Sequence, residues 1–396
     1  MTEDRSLDAA TQGEVAWIQV DLDAIAHNAR ALKGLIGERV QLMAVVKANA
    51  YGHGAVPVAR AALEAGASRL GVARVAEGVE LQRSGIAAPI VLLGYTPASA
   101  ASVVVEHRLT PAVTTLELAR ALSAEVERTG AAPLPIHVKV DTGMGRLGLF
   151  PQNVVSFARA VSALPGLQLE GLFTHFATAD AADKSYARHQ HGLFMGVLEA
   201  LRQAGFRIPL AHEANSAATL SMLETHLDMV RCGIALYGLQ PSAEFAPAIP
   251  LRPALSLHGR VSRVATLPAG ATVSYGCTYV TQRPMRVALV PLGYGDGLHR
   301  LLSNRGAVLI RGKRCPILGR VCMDQLVVDA EAVPDVHLED EVVALGRQGN
   351  EHISAEQVAG WAETINYEVT TSLLPRLPRV YLRARGVVEV LAPLAS

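Results

Sequence analysis

The chain has 396 residues, half of them hydrophobic, with 36 Lys+Arg against 36 Asp+Glu. That length asks for two or three domains with a sizeable core. The balanced charge argues against binding nucleic acid or a membrane surface through bulk charge, leaving a small substrate met in a pocket.

Residues 1–14 are polar and acidic, lack the apolar core of a signal peptide, and read as a loose tail. A short strand follows at 15–20. Asp21 or Asp23 then caps a helix to about residue 37, with Leu22, Ile25, Ala26, Ala29, Leu32 and Ile36 on its apolar face. From residue 40 a rhythm begins. Apolar strands are predicted near 41–46, 69–73, 89–93, 109–113, 135–140, 168–174, 208–212 and 227–234. Helices are predicted between and after them, near 55–66, 75–84, 98–106, 115–129, 151–163, 185–204 and 216–224. The uncharged stretch 84–105 resembles a membrane span only until Pro89, Gly94 and Pro97 divide it into strand, loop and helix. Eight strands alternating with helices imply parallel pairing and right-handed crossovers. The fold class read here is α/β, an N-terminal (β/α)8 TIM barrel over about 15–250. A doubly wound sheet is disfavoured, because no GxGxxG follows the first strand.

Near Pro250–Pro253 the pattern changes. Strand-like segments at 255–266, 286–291, 307–311, 314–319, 325–328 and 341–345 alternate with Gly, Pro and Asp turns. One helix is expected near 354–362 and a last strand at 379–383. This is a second, mainly β domain over 251–396. Cys232, Cys277, Cys315 and Cys322 form no CxxC pair and no zinc-like spacing with His. Neither a disulfide framework nor a metal site is expected, and a reducing cytoplasm is the natural setting.

The first barrel strand ends in Lys47. A lysine there is costly unless paired or chemically engaged. It either reaches solvent or serves as a Schiff-base lysine, partly desolvated so that its amine is a nucleophile. The rest of the barrel favours the second reading. Active sites of such barrels lie at the C-terminal strand ends. The same rim is expected to carry Lys139 and Arg146 from the fifth strand, His175 from the sixth, and His212, Glu213, Asn215 and Ser216 from the seventh. The eighth contributes Arg231, Cys232, Gly233 and Ile234. Barrels often hold a phosphate after strands seven and eight, where Ser216 can cap a helix and Gly233 permits close approach. A lysine plus a phosphate cradle suggests pyridoxal phosphate.

The segment 44–54, Ala-Val-Val-Lys-Ala-Asn-Ala-Tyr-Gly-His-Gly, resembles the cofactor-lysine motif of bacterial alanine racemases. Similar matches are 137–148 (HVKVDTGMGRLG), 212–216 (HEANS), 230–238 (VRCGIALYG), 273–276 (VSYG), 293–297 (GYGDG), 319–325 (GRVCMDQ) and 365–368 (INYE). The resemblance runs from about residue 15 to 383 and implies a two-base racemase bound to pyridoxal 5'-phosphate. It makes Lys47 the Schiff-base residue and one base, and Tyr275, supplied by the partner subunit of a homodimer, the other. It assigns the phosphate to Tyr51, Ser216, Gly233, Ile234 and Tyr367, and the pyridine nitrogen to Arg231, with His175 beside it. Arg146 and the partner's Met323 match the substrate-carboxylate groups, Tyr294 an entrance residue, and Lys139 a lysine carbamylated in several relatives.

Racemisation breaks a Cα–H bond on one face and remakes it on the other, so two bases are needed. An arginine against the pyridine nitrogen keeps its own proton, which limits side reactions. The implied role is supply of D-alanine for the cell wall, with no nucleic-acid or membrane partner. The alternatives are a racemase of broader or different specificity, such as serine, a decarboxylase of the same architecture, and a cofactor carrier built from the barrel alone. A decarboxylase calls for a carboxylate where Arg231 stands, and a carrier has no use for Tyr275 and Met323.

Overall fold

The computed structural model describes residues 7–242, 249–384 and 386–391. Of the expected tail, residues 1–6 lie outside that set, as do 243–248 of the expected barrel and 385 and 392–396 of the expected β domain. Leu7–Ala10 is one helical turn, and buried Thr11 behind it donates its hydroxyl to Leu7 O at 3.0 Å.

Two compact units emerge. One holds 25–50 and 55–252, the other the residues up to Ala24, Tyr51–Gly54 and those from Pro253 onward. Strands are numbered in chain order. The first, β1 (Ala16–Asp21), precedes the barrel. The barrel strands are β2 (Gln41–Val45), β3 (Arg69–Val72), β4 (Ile90–Leu92), β5 (Thr110–Val113), β6 (Leu134–Lys139), β7 (Leu167–Phe173), β8 (Leu210–His212) and β9 (Met229–Cys232). They form one parallel sheet in the order β8-β7-β6-β5-β4-β3-β2-β9. Closure comes from single hydrogen bonds: Asp228 N to Ala211 O at 3.1 Å and Arg231 N to Ala214 O at 3.0 Å. Met43, Val91 and Met229, from three different strands, meet in one buried cluster. The eight predicted strands are these eight.

The helices form for ordinary reasons. In Leu116–Thr129, Thr115 is the N-cap, and its hydroxyl accepts from Leu118 N. Leu118, Ala119, Leu122 and Val126 are buried along one face, and Gly130 ends the helix at φ +63°. For Leu22–Ile36 the capping carboxylate is Asp21, which accepts from Ala24 N at 2.9 Å. The uncharged stretch 84–105 breaks into β4 and the start of the helix Ala101–Glu106, and no described helix is long and apolar enough to cross a membrane.

The β unit adds β10 (Leu255–Arg260), β11 (Arg263–Leu267), β12 (Thr272–Val273), β13 (Tyr279–Val280), β14 (Met285–Val290), β15 (Ala307–Ile310) and β16 (Lys313–Leu318). It continues with β17 (Leu326–Asp329), β18 (Glu341–Gln348), β19 (Glu351–Ile353), β20 (Arg379–Arg383) and β21 (Gly386–Leu391). Its main sheet runs β11-β14-β17-β16-β15-β18-β10-β1-β20-β21, with β19 on β18. Two differences from the sequence reading are physical. The stretch 255–266 is two strands, because β10 pairs with β1 and β18 while β11 pairs with β14. And β1, expected at the head of the barrel unit, is antiparallel to β10 and parallel to β20. Alternation marks a strand without naming its neighbour.

Candidate active site

Lys47 follows β2, half-buried. Burial pushes its amine below the ordinary value, the Arg146 charge does the same, and Glu77 opposes them. Beyond it the backbone turns left-handed: Ala48, Asn49, Ala50 and Tyr51 have φ near +52°, at 51, 52, 52 and 53°. Non-glycine residues resist that region by roughly 1–2 kcal/mol each, so neighbours must hold the turn. Two do so. Glu77 Oε1 accepts from Ala48 N at 2.7 Å, and Asn49 Oδ1 accepts from Ala55 N at 2.9 Å. The other oxygen of Glu77 accepts from Ala73 N and Arg74 N at 2.8 and 3.0 Å.

Arg231 in β9 is buried and, among the described residues, makes five polar contacts, all to neutral groups. Nη1 donates to His212 O and Nδ1, both at 3.0 Å. Nη2 donates to Thr174 O at 2.8 Å, Glu213 O at 3.0 Å and His175 Nδ1 at 3.2 Å. Burial brings its pKa down only to about 10, so the guanidinium keeps its charge at neutral pH. Arg231 thereby sets two imidazoles. His212 Nδ1 is an acceptor, so its Nε2 donates to His137 Nδ1 at 2.9 Å, and His137 Nε2 donates to Glu170 Oε2 at 3.0 Å. Arg69 grips the Glu170 carboxylate bidentately at 2.8 and 3.1 Å. Burial keeps His137, His175 and His212 below the ordinary value, and Arg231 adds to that. These rings stay neutral.

Lys139, at the end of β6, is buried near the charges of Arg146, Arg231 and Lys47, with only Asp141 opposing them. Burial first, and then those cations, lower its pKa to about 8. Asp141 Oδ1 accepts from Gly143 N and Gly145 N, both at 3.0 Å, folding the loop that carries exposed Arg146. After β8 the helix Ser216–Ser221 is capped by Asn215, whose Oδ1 accepts from Ala218 N at 3.0 Å. The capping role expected of Ser216 therefore belongs to its neighbour. Ser216 Oγ instead accepts from Gly233 N at 3.0 Å and Ala235 N at 3.3 Å, tying the two loops where phosphate binding was expected.

In the β unit, Tyr51 and Tyr367 have ring centroids 6.1 Å apart. Burial pushes the Tyr51 hydroxyl up to about 12, so it remains a donor. Three loops meet elsewhere in this unit. Ser274 Oγ donates to Arg320 O at 2.6 Å and lies 3.2 Å from Cys322 Sγ. Tyr294 N donates to Cys322 O at 3.1 Å and Gly295 N to Met323 O at 2.7 Å. Tyr275, Tyr294 and Met323 project from these loops, 72, 40 and 54 % exposed.

Several groups gave little sequence signal, or none of what they would contact. Glu77 has capping-box spacing in the first turn of its helix, but its bond to Ala48 spans 29 positions. His137 and Glu170 sit in strands like any others. Glu213 is fully buried, its Oε1 2.5 Å from His191 Nδ1, and burial pushes it up to about 7. His53 is buried with Nδ1 3.1 Å from Tyr51 O, bracing its own turn. No cluster able to hold a metal occurs among the described residues.

The family models described as "Alanine racemase, N-terminal domain" and "Alanine racemase, C-terminal domain" match residues 20–241 and 254–381. The alanine racemase of Desulfosudis oleivorans is 50 % identical over 92 % of this chain and 96 % of its own. That of Desulforamulus reducens is 47 % identical over 93 % and 99 %. Among solved structures, the alanine racemase of Bacillus anthracis with bound L-Ala-P superposes with a TM-score of 0.90 at 42 % identity, covering 96 % of this chain and 97 % of that one. That of Clostridium difficile 630 gives 0.93 at 37 %, covering 97 % and 100 %. With both domains matched and relatives similar over nearly their whole length, the chain belongs to the alanine racemase family and is an amino-acid racemase, an isomerase.

Proposed function

We propose that this protein interconverts L- and D-alanine by two-base chemistry with pyridoxal 5'-phosphate. The observation that carries the reading is Arg231: a buried cation met, among the described residues, only by neutral acceptors, on the barrel rim that also bears a lysine of lowered pKa. The donor set suits the cofactor. Lys47 would be the attachment point, and Arg231, with His175 beside it, would hold the ring nitrogen. Ser216 with the backbone of Gly233 and Ile234 would donate to the phosphate, and the resemblance adds Tyr51 and Tyr367. When bound, the cofactor supplies the electron sink that makes the substrate Cα–H acidic.

The chain's own residues do the rest. Lys47 takes or returns the Cα proton on one face, helped by the lowered pKa of its amine. Tyr275 serves the other face. Its exposure in the single chain, with that of Met323, supports a homodimer in which each subunit lends these residues to its partner's site. Arg146 holds the substrate carboxylate, and Tyr294 stands at the entrance. Arg231 remains protonated and donates no proton to the ring, which favours racemisation over decarboxylation. Lys139, a buried amine facing three cations, gains most by becoming an anionic carbamate beside Arg146. Four free cysteines suit a reducing cytoplasm, where the product is D-alanine for peptidoglycan.

The test is racemisation of a panel of L- and D-amino acids by the purified protein. Alanine is expected to lead. A preference for serine or another small amino acid overturns the substrate, and a colourless preparation that gains no colour with pyridoxal phosphate overturns the cofactor. Tyr275→Phe is expected to slow proton abstraction from one enantiomer far more than from the other. Equal loss in both directions contradicts the two-base assignment.

A further inference from the structure

Arg379 lies in β20, 5 % exposed, and among the described residues no carboxylate pairs with it. Its guanidinium donates instead to three backbone carbonyls: Nε to Gly52 O at 2.9 Å, Nη1 to Leu377 O at 3.3 Å and Nη2 to Leu373 O at 3.2 Å. A buried cation solvated only by carbonyls is a costly way to steady a strand. What it joins is specific. Gly52 follows Tyr51. Leu373 lies just beyond the helix Asn366–Thr371, which carries Tyr367. The two chain segments also touch directly: a Cβ on Gly52, at φ +86°, would sit 2.1 Å from Thr370 O. Side chain, backbone and guanidinium thus fix two tyrosine-bearing segments against one another, and the Arg379–Gly52 bond spans 327 positions of sequence.

We propose that Arg379 is a positioning residue for the cofactor phosphate, setting the spacing at which the Tyr51 and Tyr367 hydroxyls converge on it. This rests on the reading of those tyrosines as phosphate donors. A merely structural arginine steadies the whole fold and serves any ligand alike. A positioning arginine serves the phosphate.

The experiment titrates the full chain, freed of cofactor, with pyridoxal phosphate and separately with pyridoxal, which lacks the phosphate. The readout is the ratio of the two dissociation constants, which is insensitive to any inactive fraction. Arg379→Met is expected to weaken pyridoxal phosphate about tenfold to a hundredfold, the scale of charge-assisted hydrogen bonds, and pyridoxal less than about threefold. Arg379→Lys, which keeps the charge and a donor, is expected to fall between and carries the comparison should Arg379→Met not fold. Equal weakening of both ligands, or of neither, overturns the proposal. Tyr51→Phe and Tyr367→Phe separate the two levels. If they leave the ratio unchanged, the phosphate reading falls and the proposal with it. If they shrink the ratio while the Arg379 variants do not, Arg379 alone loses its role.

Discussion

Glu170→Gln is the sharpest probe of the chain of groups beneath the site. The Glu170 carboxylate is gripped by Arg69 and accepts from His137 Nε2. Burial pushes its pKa up, but the hydrogen bonds from His137 and Arg69 outweigh that and bring it from 4.5 to about 2. At about 1.36 kcal/mol per pH unit, those two and a half pH units correspond to about 3 kcal/mol of native-state stabilisation by the charged form. The folded pKa is the lower one. The contribution is therefore fully present above pH 4.5 and is lost as the pH falls through 4.5 towards 2. Glutamine keeps the shape and one acceptor but not the charge, so the variant is expected to be about 3 kcal/mol less stable at pH 7. By pH 3.5 the deficit is expected to shrink to about 2 kcal/mol, because the unfolded chain already binds the proton there. The assay is urea unfolding of both proteins at pH 7, 5, 4 and 3.5, followed by far-UV circular dichroism. A deficit that stays constant across that range refutes the argument, since it would mean that shape and not charge is what Glu170 contributes.

Glu77→Gln keeps an acceptor for Ala48 but removes the charge that raises the Lys47 pKa, so the acid limb of kcat/KM is expected to move to lower pH. An unmoved limb removes Glu77 from the electrostatics of Lys47. Gly52→Ala forces both a positive φ and a clash with Thr370 O, and is expected to cost about 2–4 kcal/mol. Gly130→Ala, also at positive φ but with open space around it, is expected to cost about 1 kcal/mol, and equal losses in thermal unfolding would discard the clash. Lys139→Met tests the carbamate. It is expected to destabilise the protein in bicarbonate and to stabilise it in buffer stripped of carbon dioxide, where an unmodified amine sits among cations. A gain in both buffers, read by chemical denaturation, argues that the lysine is never modified.

How much of this was legible in the sequence depends on how far apart the cooperating residues lie. The eight barrel strands could be read directly, because a buried parallel strand is a short apolar run and the first seven are each followed by a predicted helix. The rim followed from them, since a residue just past a strand's C-terminal end has only one face of the barrel to occupy. That is why Lys47, Lys139, His175 and Arg231 could be grouped from order alone. The choice between Asn215 and Ser216 as cap could not, because both are good N-caps and only the backbone angles of Asn215 decide. Nor could the partners of β1, a mostly apolar run that fits a barrel strand or an interior strand of the β sheet equally well.

Sequence by itself thus determined the eight strands of the parallel barrel, the second, mainly β domain and the long motifs that mark the family. Tertiary structure alone decided the rest. It put a carboxylate from 29 positions away onto the Ala48 amide, ran a proton-ordered chain from Arg231 through two histidines to Glu170, and stapled Gly52 with Arg379. The reason is physical. Local periodicity reports which face of a segment is buried, whereas a hydrogen bond between distant residues exists only once the intervening chain has packed and water has left.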